Sequence, residues 1–191
     1  MAAYIRSAIS IFRLTPLARF DSAIAAAFSA LAFFLLCQIN DLLFQHLAYS
    51  PGVNWIFLPS GLRLLLVLML AGPGAIGVML GSLLAGLGRS TEPELALAAA
   101  FISGLSPWLA RWVCLRAMQV KSDLSELSAL RLLQMALVFA AISSVLHQAL
   151  YTGVGLSTNF LEGAAVMAIG DLLGTLVVLY LVKLALWRWR R

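Results

Sequence analysis

The sequence predicts an all-α protein: a polytopic transmembrane helical bundle of about six helices with a short central hairpin. The first observation is composition, because 62% of the 191 residues are hydrophobic and only 11% are charged. The second is a mean hydropathy of +0.98. Soluble domains are about 45–50% apolar and about 25% charged, so charge this sparse cannot cover a soluble surface. The same figures exclude the disordered, collagen-like and disulfide-rich classes.

The third observation is a set of four apolar stretches, each with the length of one transmembrane helix. A spanning helix needs about 20 mostly apolar residues. The stretches cover residues 22–43, 94–115, 130–151 and 161–187. Together with the segment between the first two, they define an integral membrane domain over residues 22–187.

The central segment, residues 55–87, fits neither one span nor two. Its length of about 33 residues is too great for one helix and short for a pair. The sequence Gly72-Pro73-Gly74 interrupts it, and a proline beside glycines ends a helix because proline cannot continue the hydrogen-bond ladder. We therefore expect two short helices that form a hairpin inside the bundle. The hairpin either crosses the bilayer twice or re-enters from one side.

Basic residues flank the membrane domain at both ends. Residues 1–21 form a basic leader in which Ile5, Ile9 and Phe12 recur at helical spacing beside arginines. This leader is either an amphipathic helix on the membrane surface or an unstructured segment. Residues 188–191 form a basic tail at the membrane interface.

The distribution of lysine and arginine predicts the orientation. These residues precede the first span, surround the connection near residues 111–131 and close the chain, whereas residues 48–59 and 152–160 contain none. Loops rich in lysine and arginine stay on the cytoplasmic side. Both termini are therefore expected in the cytoplasm, with the chain in a bacterial inner membrane. The net charge of +5 follows from this topology, and no nucleic-acid partner is expected.

Two charged residues lie within the predicted spans. Asp171 lies about ten residues into the last span, roughly 15 Å at 1.5 Å per residue. An ionised side chain at that depth costs about 2.5–3.5 kcal/mol, so it normally pairs with another group or lines a cavity. Arg63 would pair with Asp171, or with Asp41 at the outer end of the first span. The alternatives are a packing role for Asp171 and an Arg63 that extends to the outer headgroups.

Further polar residues occur on the same side of the bundle. His147 and Tyr151 share one face of their helix, in its outer half. We expect one outward-facing cavity, lined by Asp41, Trp55, Arg63, His147, Tyr151 and Asp171. His147 has no second histidine or cysteine at ligand spacing, so no metal and no other cofactor is expected. The sequence contains no catalytic triad or acid–base pair, so we do not expect an enzyme.

Small residues at four-residue spacing predict helix-packing faces, because they let backbones approach closely. Two such sets are present. They are Gly77, Gly81 and Ala85 in the central hairpin, and Gly170 and Gly174 in the last span.

Two blocks of the sequence resemble a known family. The first contains residues 54–63 (NWIFLPSGLR), 72–77 (GPGAIG) and 80–85 (LGSLLA), and the second contains residues 170–178 (GDLLGTLVV). Their content, order and spacing resemble the first MASE class of bacterial membrane-associated sensor domains. The arginine that follows the glycine of the first block resembles the branch found in hexose-phosphate sensor kinases.

The sequence departs from that family in two ways. The usual proline of the last block is replaced by Tyr180, which predicts a straighter last helix. Such domains normally precede a histidine kinase or a cyclic-di-GMP enzyme, whereas this sequence ends at Arg191. The resemblance therefore implies a stand-alone sensor domain whose signal passes to a separate protein.

Three functions follow as alternatives. The first is a sensor-like protein that binds a small ligand or a partner in the bundle and relays to a separate membrane or cytoplasmic protein. The second is the substrate-binding subunit of a vitamin-type transporter, which would dock through alanines spaced as in Ala23 and Ala27 or Ala26 and Ala30. The third is an accessory subunit that scaffolds a membrane complex, binds no ligand and buries Gly77, Gly81 and Ala85 at the contact with its partner. In each case the bilayer is the surrounding partner.

Overall fold

The computed structural model describes residues 16–89, 92–117 and 128–189 of the chain. Within these ranges the chain forms five long helices. They are α1 (Pro16–Phe44), α2 (Pro59–Leu87), α3 (Pro93–Ala117), α4 (Ala129–Gly153) and α5 (Phe160–Trp189). A 3-10 turn (Gln45–Leu47) and a small β-hairpin of β1 (Ala48–Ser50) and β2 (Val53–Asn54) connect α1 to α2.

The predicted fold class, an all-α transmembrane bundle, is confirmed. By length and composition alone, all five helices are long and apolar enough to cross a membrane, and the chain is a multi-pass membrane protein. The first helix begins at Pro16, inside the predicted leader. Residues 1–15 of the leader and residues 190–191 of the tail lie outside the described part of the chain.

The helix count is five rather than the predicted six, because the two short helices predicted for the central segment form one helix with a break. The break occupies a single residue, Ala71, whose φ of 51° and ψ of −121° are not helical. Helical geometry resumes at once, and Pro73 then falls in the first turn after the break. Proline is tolerated there because the missing N–H has no helical partner to lose. We call residues 59–70 the first arm of α2 and residues 72–87 the second arm.

The two arms lie side by side, as the sequence predicts for a hairpin. A Cβ atom on Gly74 would overlap the carbonyl of Leu66. Eight residues span roughly 12 Å along a straight helix, so this contact requires the chain to fold back at Ala71. The arms also run in opposite directions along α1.

Contacts with α1 fix those directions. At the β-hairpin end of the bundle, the backbone N–H of Leu58, just before the first arm, donates to Asn40 Oδ1 at 2.9 Å. At the other end, Leu70 closes the first arm beside Asp21. The second arm returns, because Arg89 just beyond it forms an ion pair with Asp41. The chain therefore enters and leaves α2 at the β-hairpin end.

Gly77 and Gly81 place the second arm directly on α1. A Cβ atom on Gly77 would overlap the Ala26 carbonyl, and one on Gly81 would lie 2.5 Å from the Ala30 carbonyl. Ala85, the third member of the predicted face, is 3% exposed and packs in the same cluster as residues of α1. This small-residue face therefore packs inside the bundle.

Gly170 and Gly174 pack against the non-helical segment before α2, whereas their spacing predicted contact with another helix. Their missing side chains leave room for the carbonyls of Asn54 and Phe57, which a Cβ atom at either position would overlap. The backbone N–H of Phe57 donates to the Gly170 carbonyl at 3.2 Å. Non-helical backbone in a membrane bundle must find such partners within the protein.

We predict that Gly174→Val will separate α5 from the segment before α2. The obstacle is a backbone carbonyl, which cannot move aside as a side chain can. We expect a loss of about 2–3 kcal/mol in the free energy of unfolding, measured by denaturant titration in lipid nanodiscs. The matched control is Gly153→Val, since nothing lies within 4 Å of a Cβ atom there. Equal stability of the two variants would contradict this packing.

We also predict that Ala71→Gly will stabilise the protein. Alanine is strained at φ 51°, whereas glycine adopts this geometry freely. The expected gain is about 1 kcal/mol, measured in the same titration. Ala141→Gly is the control: it lies in an ordinary, lipid-exposed stretch of α4 and should lose about 0.5–1 kcal/mol. A loss at both positions would show that Ala71 is not strained.

Candidate functional site

A cavity of about 420 Å³ opens at the β-hairpin end of the bundle. Ligand pockets in proteins usually have volumes of about 300–1,000 Å³. Part of the lining is apolar and includes Phe33, Phe57 and Met167. The polar side chains of the lining are Asn54, Arg63, Ser82, Arg89, Glu92, Ser103, His147 and Tyr151. The cavity therefore has the size and the mixed lining of a small-molecule site.

Three of the six residues predicted for such a cavity do line it, namely Arg63, His147 and Tyr151. Arg63 comes from the first arm of α2, while His147 and Tyr151 lie one helical turn apart on α4. Their rings lie 6.0 Å apart between centroids. All three side chains are buried.

The other three predicted residues lie elsewhere. Asp41 forms its ion pair with Arg89, with both side chains about two-fifths exposed. Trp55 is 42% exposed and packs edge-on against Tyr49, because the β-hairpin turns its side chain outward. Asp171 is buried behind Arg63 and does not reach the cavity wall.

The centre of the site is the ion pair between Arg63 and Asp171. Arg63 Nη2 lies 2.9 Å from Asp171 Oδ1, and each side chain is only 1% exposed. The guanidinium also lies between two aromatic rings, at 5.4 Å from the centroid of Phe57 and 5.2 Å from that of Phe139. Such contacts are favourable for a desolvated cation. The pair joins the first arm of α2 to α5.

The hydrogen bonding of this pair is incomplete. One bond joins the two side chains, where an arginine and a carboxylate can make two. Arg63 Nε is buried without a hydrogen-bond partner, while the Ser143 hydroxyl lies close enough to the Asp171 carboxylate to bond to it. Buried polar groups in this state are costly, so the pair retains capacity for further hydrogen bonds.

The hydroxyl groups of Ser60 and Thr175 hold the backbone around the ion pair, and neither residue is among those predicted from the sequence. Ser60 Oγ lies 2.7 Å from both the Phe57 and the Asp171 carbonyls, and Thr175 Oγ1 donates to the Asp171 carbonyl at 2.7 Å. Gly61 permits this approach, since a Cβ atom there would lie 2.9 Å from the Thr175 backbone. Only the position of Ser60, between Pro59 and the glycine of the family-like block, could have drawn attention to it.

A directed chain of hydrogen bonds forms another wall of the cavity. Ser82 Oγ donates to Ser103 Oγ at 3.0 Å, and Ser103 Oγ lies 3.3 Å from His147 Nε2. His147 Nδ1 lies 2.9 Å from the Ser143 carbonyl, which can only accept, so Nδ1 carries the proton in a neutral ring. His147 Nε2 must then accept from Ser103. This chain joins the second arm of α2, α3 and α4.

The loops above the cavity are tied to α5. Asn159 and Glu162 form a reciprocal cap: Glu162 N donates to Asn159 Oδ1 at 3.2 Å, and Asn159 Nδ2 donates to Glu162 Oε2 at 3.0 Å. A hydrogen bond from Tyr49 to the Glu162 carboxylate raises the pKa of the Tyr49 hydroxyl. The cap therefore also anchors the β-hairpin.

Among the described residues, no group of three or more histidine, cysteine, aspartate or glutamate side chains could hold a metal ion. Comparison with known proteins adds no identification, since no family model, no curated protein and no solved structure matches the chain. The resemblance to the MASE class therefore stays a prediction that rests on its two sequence blocks.

We predict that Asp171→Asn will destabilise the protein strongly, because it leaves the Arg63 cation buried without a counter-ion. The expected loss is about 3–5 kcal/mol, measured by denaturant titration in nanodiscs. Asp41→Asn is the matched control, since the exposed pair with Arg89 should contribute only about 0.2–1 kcal/mol. The double variant Arg63→Gln/Asp171→Asn should regain part of the loss because no charge stays buried. A single-variant loss below that of Asp41→Asn would contradict the assignment.

Proposed function

We propose that this protein is a sensor-like integral membrane protein that binds a small ligand in the cavity and relays the event to a separate protein. The observation that carries the proposal is the contact between the cavity and the buried ion pair of Arg63 and Asp171. The cavity supplies a volume for a ligand. A ligand that bonds to Arg63 would change the strength of the bond between Arg63 and Asp171.

The cost of the ion pair supports a role beyond stability. Buried ion pairs contribute little net stability, because desolvation offsets their attraction, and apolar replacements are often neutral or better. Ionisable residues at membrane depth are usually tied to function for this reason. Here the arginine of the pair also borders the cavity.

The connections of the pair suggest a route for the relay. Arg63 lies on the first arm of α2, and Asp171 lies near the middle of α5, which runs on to the opposite end of the bundle. A ligand that bonds to Arg63 would change the strength of its bond to Asp171, and so the packing of α5. A ligand shifts such an equilibrium only by its difference in affinity for the two states. By the distribution of lysine and arginine, the far end of α5 faces the cytoplasm.

The transporter alternative keeps one supporting feature. Ala23 and Ala27 are exposed on α1, so an outside partner could dock there. Ala26 and Ala30, the other pair at this spacing, face Gly77 and Gly81 within the bundle. The scaffold alternative relied on the face of Gly77, Gly81 and Ala85, which α1 already covers. We therefore rank the sensor first and the transporter subunit second.

The test is to isolate the protein from its native membrane in nanodiscs and weigh the intact complexes by native mass spectrometry. We expect a small molecule bound at one per chain. Ala99→Phe places a ring into the cavity lining and should abolish that bound mass. Ala98→Phe, the neighbouring position, lies outside the lining and should retain it.

The same spectra distinguish the alternatives. A bound kinase, cyclase or other signalling protein supports the sensor, and a coupling subunit with ATPases supports the transporter. A stoichiometric partner with no small molecule, unchanged by Ala99→Phe, would contradict a ligand-binding function and favour a scaffold.

A further inference from the structure

The two ion pairs beside the cavity share one orientation. Arg63 lines the cavity, while its partner Asp171 lies behind it. Arg89 also lines the cavity, while its partner Asp41 lies outside the lining on α1. In both pairs the arginine belongs to the cavity lining and the carboxylate does not. Arg63, on the first arm of α2, and Arg89, just after the second arm, therefore both belong to the wall of the same cavity.

From this arrangement we propose that the cavity binds a small organic anion, with one acidic group on a largely apolar body. This inference deepens the proposed function and rests on it. The acidic group would bond to Arg63, and the apolar part would contact the Phe33, Phe57 and Met167 side chains of the lining.

Arg63 has the free capacity that this ligand needs. A guanidinium carries five N–H donors in a planar fork that fits carboxylate, sulfonate or phosphate oxygens. One hydrogen bond to Asp171 accounts for a single donor, and Nε is buried without a partner. Tyr151, also in the lining, offers a hydroxyl donor within electrostatic reach of Arg63. An oxyanion can therefore gain several donors here without displacing Asp171 completely.

A cationic ligand fits the lining less well. Glu92 is the one carboxylate among the lining residues, against the two guanidinium groups of Arg63 and Arg89. Both guanidinium groups and the Asp41 carboxylate lie within electrostatic reach of Cys37, which is in the lining as well. Since Asp171 and Asp41 balance the charges of the two arginines, the preference for an anion rests on the unused N–H donors of Arg63, from which an oxyanion accepts and a cation cannot.

Cys37 allows a direct test without knowledge of the natural ligand. In a Cys114→Ala background, Cys37 is the remaining thiol of the chain. Its modification rate is measured in phosphatidylcholine nanodiscs with three methanethiosulfonate reagents: the neutral methyl, the anionic sulfonatoethyl and the cationic trimethylammonioethyl compounds. Each rate is divided by that for a free thiol in solution. We expect the normalised rate of the anionic reagent to exceed that of the cationic reagent by at least about tenfold.

Two variants of the ion pair should change the ratio of the anionic to the cationic modification rate in opposite directions. Asp171→Asn removes the counter-ion of Arg63 and should raise the anion preference. The double variant Arg63→Gln/Asp171→Asn leaves the net charge unchanged and has no buried charge that would unfold the chain, yet it should lower the preference. A preference for the cation, or a ratio that neither variant changes, would overturn the proposal. Failure of even the neutral reagent to modify Cys37 would overturn the proposal of a soluble anion at this thiol, whereas the bound mass sought by native mass spectrometry tests the ligand-binding function separately.

Protection of Cys37 then identifies the source of the acidic group. Hexanoate is compared with hexanamide, which has the same body without the charge, and phosphatidylglycerol nanodiscs are compared with phosphatidylcholine nanodiscs. Slower modification with hexanoate alone assigns a soluble organic acid. Slower modification only in phosphatidylglycerol assigns an anionic lipid headgroup. Equal protection by hexanoate and hexanamide, or none in any arm, would contradict anion binding.

Discussion

The bond between Arg63 and Asp171 is the interaction on which the arrangement of the bundle depends. An arginine and an aspartate that are both 1% exposed are tolerable in an apolar interior only if they face each other. That requirement places the first arm of α2 against the middle of α5. Because α5 begins and ends at opposite ends of the bundle, the pair also sets the depth at which the arm sits. The cavity is the space that this placement leaves at the β-hairpin end.

Small residues make that contact geometrically attainable. Gly61 lets the first arm approach Thr175, and Gly170 and Gly174 let the extended segment before α2 lie on α5. Ser60 then bonds to the Asp171 carbonyl. These glycines and the two charged residues act as one unit, since a side chain at any of these glycines would widen the gap between Arg63 and Asp171. Packing and electrostatics therefore constrain the same few positions.

The sequence predicts the spans well because each is an uninterrupted apolar run of the required length. It also predicts the hairpin and the partnership of Arg63 with Asp171 or Asp41, because a charge in an apolar interior needs a partner of opposite charge. The helix count is five rather than six because the turn between the two arms takes up only Ala71, and sequence alone does not give the tightness of a turn. The partnership of Arg89 with Asp41 and the hydrogen bond from Ser82 to Ser103 could not be predicted. Both depend on the register between neighbouring helices, which nearly uniform apolar surfaces leave undetermined.

The break at Ala71 explains how one helix can serve both walls of the site. Arg63 on the first arm and Ser82 on the second line the same cavity, although 19 residues separate them. One arm carries the charged element and the other the start of the hydrogen-bond chain that leads to His147. A group bound between the arms would contact both at once, while their connection at Ala71 lies at the opposite end of the bundle. A change at the cavity would thus act on two arms that meet at one strained residue, and close interior packing transmits small shifts.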